Sequence, residues 1–132
     1  MALITKASDA SIDTSTAQFA PQRPGLTAAE ALDSFAPCYI ASDGVHMSNG
    51  TNADAAAGFD GFTARAYASG DTNVTLFGIG TRMRYAASGL TPGAKLYIAT
   101  TAGRLADATT TGDAVGIVKA VSATDIRVIR DA

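Results

Sequence analysis

Short apolar segments, separated by turns that contain glycine, recur through most of the chain and limit what it can fold into. The pattern is clearest from residue 36 onward, where Ser-Gly, Thr-Pro-Gly and Thr-Gly-Asp turns divide strand-like segments. Glycine accommodates the backbone angles that such turns need. Many short strands at even spacing predict a mainly β protein, folded as a small β-barrel or sandwich.

The first predicted hairpin consists of residues 38–41 and 45–47. It turns at Asp43-Gly44, a dipeptide typical of two-residue hairpin loops. Further strands are predicted at 61–68, 73–78, 82–87, 94–100, 115–121 and 125–130. Residues 36–132 are therefore expected to form a β-rich body.

Two stretches of this body, about 38–78 and 96–130, resemble each other. Residues 39–41 (Tyr-Ile-Ala) recur as residues 97–99, and later segments correspond once small gaps are allowed. This internal duplication predicts two similar β-units that pack together, each completing the other's core. Residues 82–85 are expected to link the two units.

The first 26 residues differ from the body and are predicted to form an extended N-terminal arm. They show no sustained periodicity, and Pro21 and Pro24 favour extended backbone. Large apolar side chains stand at intervals along the arm, which suits anchors on the surface of a partner. These candidate partner-binding residues are Leu3, Ile4, Ile12 and Phe19.

One short helix is predicted between the arm and the body, at residues 27–35. Thr27 and Glu30 have the spacing of a capping box. Leu32 and Phe35 follow at positions that would face the body. The helix is expected to act as a lid or spacer.

Composition limits the size of the core and excludes several functions. Of the 132 residues, 28 are Ala, and only 26 are Val, Ile, Leu or Phe. A thin core and support from neighbouring molecules are therefore expected. A net charge of -2 without a basic cluster argues against nucleic-acid binding. No apolar segment approaches the ~20 residues that span a bilayer, so no membrane association is expected.

Residues that carry catalytic or metal-binding chemistry are scarce. His46 is the single histidine and Cys38 the single cysteine, so a structural zinc site has too few ligands. We expect His46 on the exposed face of a strand and Cys38 in the core, with a Cys38/His46 dyad as the alternative. The sequence predicts a protein that is not an enzyme and has no catalytic residues, cofactor or metal.

Three segments of the body carry a resemblance to a known family. They are the hairpin at 39–44, the stretch at 90–98 and the Gly/Thr/Ala-rich run at 103–128. Through them, residues 39–130 resemble the small head decoration (cement) proteins of tailed bacteriophages. The resemblance implies a β-rich body on a capsid of the HK97-like fold, with an N-terminal arm laid across capsid subunits.

The function implied by this resemblance is structural. The protein would be made in the bacterial cytoplasm and would sit on the outer surface of the virion. Its partner would be the major capsid protein, whose subunit contacts it would reinforce, and its own copies would form a homo-oligomer, with a trimer favoured. The alternative is a carbohydrate- or receptor-binding β-module of a viral fibre or tail, which the lack of Trp disfavours.

Overall fold

Eleven β-strands and no helix are present in the residues that the computed structural model describes, which are 3–8, 10–12, 22–51 and 59–129. In chain order the strands are β1 (Ser11–Ile12), β2 (Gln22–Leu26), β3 (Pro37–Ala41), β4 (Gly44–Met47), β5 (Gly61–Thr63), β6 (Val74–Phe77), β7 (Arg82–Arg84), β8 (Lys95–Ile98), β9 (Leu105–Ala106), β10 (Val118–Ala120) and β11 (Asp125–Val128). The predicted mainly β fold is confirmed. From β5 onward the predicted strands are present but shorter.

The strands form two antiparallel sheets that follow the same plan. The first sheet has the order β2-β6-β5-β3-β4, and the second has the order β1-β7-β11-β10-β8-β9. Apart from β1, every strand of the second sheet is the counterpart of the strand five places earlier in the chain. We call residues 22–77 unit 1 and residues 82–128 unit 2. The prediction of two similar β-units is confirmed by this shared strand order.

Register also repeats between the units. In unit 1, Ile40 of β3 lies opposite Val45 of β4. In unit 2, Ile98 of β8 lies opposite Leu105 of β9. The sequence match between residues 39–41 and 97–99 therefore reflects equivalent places in the two sheets.

Strand β7 corrects one prediction about the connection between the units. Residues 82–85 were expected to link the units, yet β7 pairs with β11 inside the second sheet. Its counterpart is β2, which pairs with β6 in the first sheet. Each unit thus begins with a strand that pairs with its own last strand. β2 lies at the end of the segment predicted as the arm, residues 1–26, so residues 22–26 belong to the first sheet and not to the arm. It was missed from the sequence because it contains Pro24 and Gly25, which an edge strand tolerates.

The two sheets pack in a sandwich-like arrangement around a shared core. Phe59 and Phe62 of unit 1 belong to a buried cluster whose other members come from unit 2. Their rings meet edge to face, with centroids 5.4 Å apart. A second buried cluster covers the other face of the first sheet. It consists of Ala28, Leu32, Ala36, Cys38, Val45, Tyr67, Val74 and Leu76.

The predicted helix at 27–35 is wrong. Its backbone groups bond to distant parts of the chain instead of to each other. The N–H of Leu32 donates to the carbonyl of Tyr67, and the reverse bond is also made, both at 2.9 Å. The carbonyl of Ala28 accepts from the N–H of Gly70 at 2.8 Å. A helix of two turns is marginal by itself, so these tertiary bonds and the burial of Leu32 decide the local structure.

The side chain that suggested a helix cap has another role. The Glu30 carboxylate accepts the backbone N–H of Met47 in β4, at 3.0 Å. Phe35 has a φ of 51°, which is outside the helical region. Glu30 therefore ties the segment after β2 to the edge of the first sheet.

That segment joins the two edges of the first sheet. Thr27 follows β2 at one edge, and its carbonyl accepts the N–H of Val45 in β4, at the other edge, at 2.8 Å. Ala29 donates its N–H back to the carbonyl of Val45 at 3.0 Å. We call residues 27–29 the closing segment of unit 1, because they cover the edge of β4 that does not pair with β3.

Candidate functional site

The N-terminal arm lies on unit 2 in the part of the arm that the structure describes. Leu3 pairs with Ala106 of β9 as an antiparallel bridge. The N–H of Ile4 donates to the carbonyl of Leu105 at 2.9 Å. Farther along the arm, β1 pairs with β7, with Ile12 opposite Met83. Because β9 and β7 lie on opposite sides of unit 2, the arm joins them as the closing segment joins the edges of unit 1.

The four predicted anchor residues have different surroundings. Ile4 is half-buried against the shared core. Leu3 is 40% exposed, so its side chain remains available. The backbone of Ile12 belongs to β1, while its side chain and all of Phe19 lie outside the described residues.

Polar contacts also hold the arm. The guanidinium of Arg104 donates to the carbonyl of Ile4 at 3.0 Å. The Lys6 ammonium donates to the carbonyl of Ser34 at 2.5 Å. Partial burial lowers the pKa of Lys6 below its usual value, and the Asp33 carboxylate opposes this effect. The arm thus contacts both unit 2 and the segment that follows the closing segment of unit 1.

A groove of about 270 Å³ lies beside the arm. Residues 3–5 form one wall, and residues 86–90, which follow β7, form the other. Its lining includes two alanines, Ala86 and Ala87, together with Leu3 and Leu90. The arm therefore covers unit 2 without filling all the space beside it.

Three exposed apolar side chains lie at one end of unit 2. They are Ile79, Val115 and Ile129, with exposed fractions of 48%, 54% and 37%. The residue after Ile79 donates its N–H to the carbonyl just before Ile129, at 2.9 Å. Val115 lies in the connection that leads into β10, and the N–H of Ile129 donates to the carbonyl of Ile117, the residue just before the same strand. We call these three side chains the end patch.

A buried carboxylate fixes the loop that presents Val115. Asp113 accepts the N–H of Val115 at 3.1 Å and that of Gly116 at 2.8 Å with one oxygen. Its other oxygen accepts the N–H of Ile98 in β8, at 2.9 Å. The most exposed member of the end patch is therefore held in place by the sheet behind it.

His46 lies in a polar cluster at the edge of unit 1. Its Nε2 is 2.8 Å from Asp43 Oδ1, and its Nδ1 is 3.4 Å from Glu30 Oε2. The ring stacks on Tyr39 with centroids 5.4 Å apart. The hydrogen bond with Asp43 raises the pKa of His46, while partial burial opposes the rise. The cluster ties the hairpin turn to Glu30, beside the closing segment.

Cys38 is buried in the core, as expected. Its thiol is 3.4 Å from the carbonyl of Ala36. Burial raises the pKa of this thiol well above its usual value, because the thiolate would lose its hydration. Both nitrogens of His46 face carboxylates, so the arrangement does not form the Cys38/His46 dyad.

The described residues contain no group of three or more His, Cys, Asp or Glu side chains close enough to hold a metal ion. Among them there is also no helix of the length and apolar character that crossing a bilayer requires. Sequence reasoning missed the end patch, although Ile79 between two glycines was a visible signal of an apolar side chain in a turn.

Comparison with known proteins gives no family. No protein-family model matches this chain, and no curated protein or solved structure is significantly similar to it.

Proposed function

We propose that this protein is a structural decoration protein that binds the outer surface of a tailed-phage capsid and reinforces contacts between major capsid subunits. The end patch is the observation that carries the proposal. Its three exposed apolar side chains share one end of unit 2, and contiguous exposed apolar surface is typical of sites that bind another protein. The sequence resemblance of residues 39–130 to head decoration proteins supports a major capsid protein of the HK97-like fold as that partner.

The end patch suits a binding mode in which each contact is weak and many contacts add. Burying a partly exposed Val or Ile side chain contributes on the order of 1 kcal/mol. Three such side chains from one copy give weak binding, because association also costs translational and rotational freedom. A trimer would present the patch three times to a symmetric capsid surface, so that its avidity exceeds the affinity of one copy.

The structure of the patch favours a defined contact over a loose one. Val115 is fixed by the Asp113 carboxylate, and Ile129 continues directly from β11. A surface that is already ordered loses little conformational entropy on binding. The exposed Leu3 of the arm supplies a further apolar contact for a neighbouring subunit.

Co-sedimentation with expanded, undecorated heads of its own phage tests the proposal. Val115→Asp places a charge in the end patch and is expected to weaken binding at least tenfold. Val121→Asp is the matched control. Val121 is also exposed, at 39%, but it follows β10 whereas Val115 precedes it. The control is expected to bind like the unchanged protein.

The outcomes separate the proposal from its alternative. Saturable binding at a fixed ratio to the capsid subunit, lost in Val115→Asp and kept in Val121→Asp, supports decoration through the end patch. Equal loss in both variants would contradict the role of the patch. Binding of the unchanged protein to host cells or glycans, with none to heads, would favour the fibre or tail module instead.

A further inference from the structure

The two units are closed by different parts of the chain. In unit 1, the closing segment follows β2 directly, so unit 1 supplies its own closure. In unit 2, the equivalent edge strand, β9, is covered by Leu3 and Ile4, which come from the other end of the chain. Unit 2 therefore has a docking site for an extended segment, and residues 82–128 do not themselves supply that segment.

All the groups that receive the arm belong to the body. The carbonyl of Leu105 and the guanidinium of Arg104 hold Ile4, and the carbonyl of Tyr85 accepts the N–H of Ala7 at 2.6 Å. The edge of β7 receives β1. These groups can bind the arm of a second copy as well as their own, because most of them bind the backbone of the arm, which is the same in every copy.

The number of residues between the arm and unit 1 sets how far the arm can reach. Nine residues, 13–21, separate β1 from β2. Fully extended, such a connection spans about 30 Å. The same contacts form whether the arm docks on its own body or on a neighbour, so the local concentration of neighbouring bodies determines which docking occurs.

We propose that in the assembled protein the arm of one copy closes unit 2 of a second copy. The occupant of the docking site is then residues 3–8 and 10–12 of the neighbour, paired with β9 and β7 as in the structure. Exchange passed from copy to copy in one direction closes into a ring, which a trimer permits. The proposal concerns contacts between copies of this chain and does not depend on capsid binding.

A pair of introduced cysteines tests arm exchange. Leu3 and Ala106 are antiparallel bridge partners, a spacing that suits a disulfide. The variant Leu3→Cys/Ala106→Cys, with Cys38→Ala to remove the native thiol, is oxidised at about 1 mM, a concentration comparable with that of a tethered arm. About half of the chain is expected to migrate as covalent dimers or larger rings on a denaturing gel without reductant.

A second pair of cysteines provides the control. Tyr97 and Ala106 are partners across β8 and β9 within one unit, so Tyr97→Cys/Ala106→Cys is expected to give only cross-linked monomer. Mixing the two single variants, Leu3→Cys and Ala106→Cys, should give a disulfide between different chains. Cross-linked monomer alone from Leu3→Cys/Ala106→Cys, with no mixed disulfide, overturns the proposal while leaving capsid binding untouched.

Discussion

Unit 1 and unit 2 share one strand order but are completed in different ways. The first sheet is closed by residues 27–29, which follow its own first strand, and a second apolar cluster covers its other face. The second sheet depends on the arm at both sides and on Phe59 and Phe62 of unit 1 for its core. A duplicated fold can therefore keep its topology while different parts of the chain fill the same structural position. Unit 2 is the dependent half.

The largest effect is expected where the two units share a core. Phe62 is fully buried among side chains of unit 2. Phe62→Ala removes a large side chain from a closely packed interior and is expected to lower the free energy of unfolding by about 3–5 kcal/mol. Urea denaturation measures this loss. The exposed Ile40, also in unit 1, provides the control, and Ile40→Ala is expected to change stability by about 0.5 kcal/mol or less.

The shape of the transition tests the dependence of unit 2. One cooperative transition, shifted to lower urea by Phe62→Ala, is expected because both units lose a common core. Two separate transitions in the unchanged protein would show that the units fold independently and that unit 2 does not depend on unit 1.

Removing the arm should affect unit 2 more than unit 1. Deletion of residues 2–12 removes β1, the Leu3 bridge and the half-buried Ile4. The expected cost is about 2–3 kcal/mol, from the lost apolar burial and backbone hydrogen bonds. Hydrogen exchange should show faster exchange in β7 and β9 and unchanged protection in β3 and β5. Equal loss of protection in both sheets would mean that the arm does not act on unit 2 selectively.

The deletion stops at residue 12 for a structural reason. The predicted arm extends to residue 26, but Gln22–Leu26 form β2, the edge strand of the first sheet. A deletion that reached β2 would damage unit 1 as well and would hide the difference between the units.

A substitution at the junction between the units is expected to lower the free energy of unfolding by less than deletion of the arm. Gly50, after β4, donates its N–H to the carbonyl of Ala99 at 2.8 Å, and its own carbonyl accepts the N–H of Gly112 at 2.9 Å. A Cβ there would meet Thr110 Oγ1 and lie 2.6 Å from the carbonyl of Ile98. Gly50→Ala is expected to cost about 2 kcal/mol through overpacking.

Gly93 supplies a comparison with backbone strain alone. It has a φ of +89° in a turn of unit 2, and a Cβ there would meet nothing within 4 Å. Gly93→Ala is expected to cost about 1 kcal/mol. Thermal unfolding ranks the two variants, and only Gly50→Ala should speed hydrogen exchange at the Gly112 amide. Unchanged exchange at Gly112 would show that the junction tolerates a side chain.

The sequence predicted features whose causes are local. The first hairpin was predicted to turn at Asp43-Gly44 and turns one residue earlier, at Ser42 and Asp43, with Gly44 as the first residue of β4. The strand at β10, where exposed Lys119 lies between buried Val118 and Ala120, is visible in neighbouring residues. The match between residues 39–41 and 97–99 revealed the duplication. These features follow from turn geometry and from the two-residue period of strands.

The features that the sequence did not predict depend on tertiary contacts. Residues 27–35 have the local signature of a helix cap, but Leu32 pairs with Tyr67 and becomes buried. β1 and β9 contain two residues each, too few to show a period. Of the predicted arm anchors, Leu3 and Ile4 bond through their backbone to β9 of their own body, and no local pattern indicates which surface an extended segment will meet.

The smallest expected effect on stability comes from His46 and concerns what holds the closing segment on unit 1, compared with what holds the arm on unit 2. His46 in β4 lies opposite Tyr39, and its counterpart opposite Tyr97 in β9 is Ala106. In unit 1 the imidazole therefore faces Glu30, next to the closing segment, whereas in unit 2 Leu3 bridges to an alanine. Only the unit 1 closure should depend on pH near neutrality.

The sign of this dependence follows from the pKa shifts. The pKa of His46 is raised above 6.5 in the folded protein, chiefly by Asp43, so its stabilising contribution is fully present below pH 6.5 and is lost as the pH rises through the raised value. The pKa of Asp43 is lowered from 3.8 by the same hydrogen bond, so its contribution is lost only at more acid pH. His46→Gln should therefore lower the unfolding midpoint by a few degrees at about pH 5.5 and by less at about pH 8.5. An equal difference at both pH values would mean that the ring acts by stacking on Tyr39 alone. In that case, the charge on His46 would not contribute to holding the closing segment of unit 1.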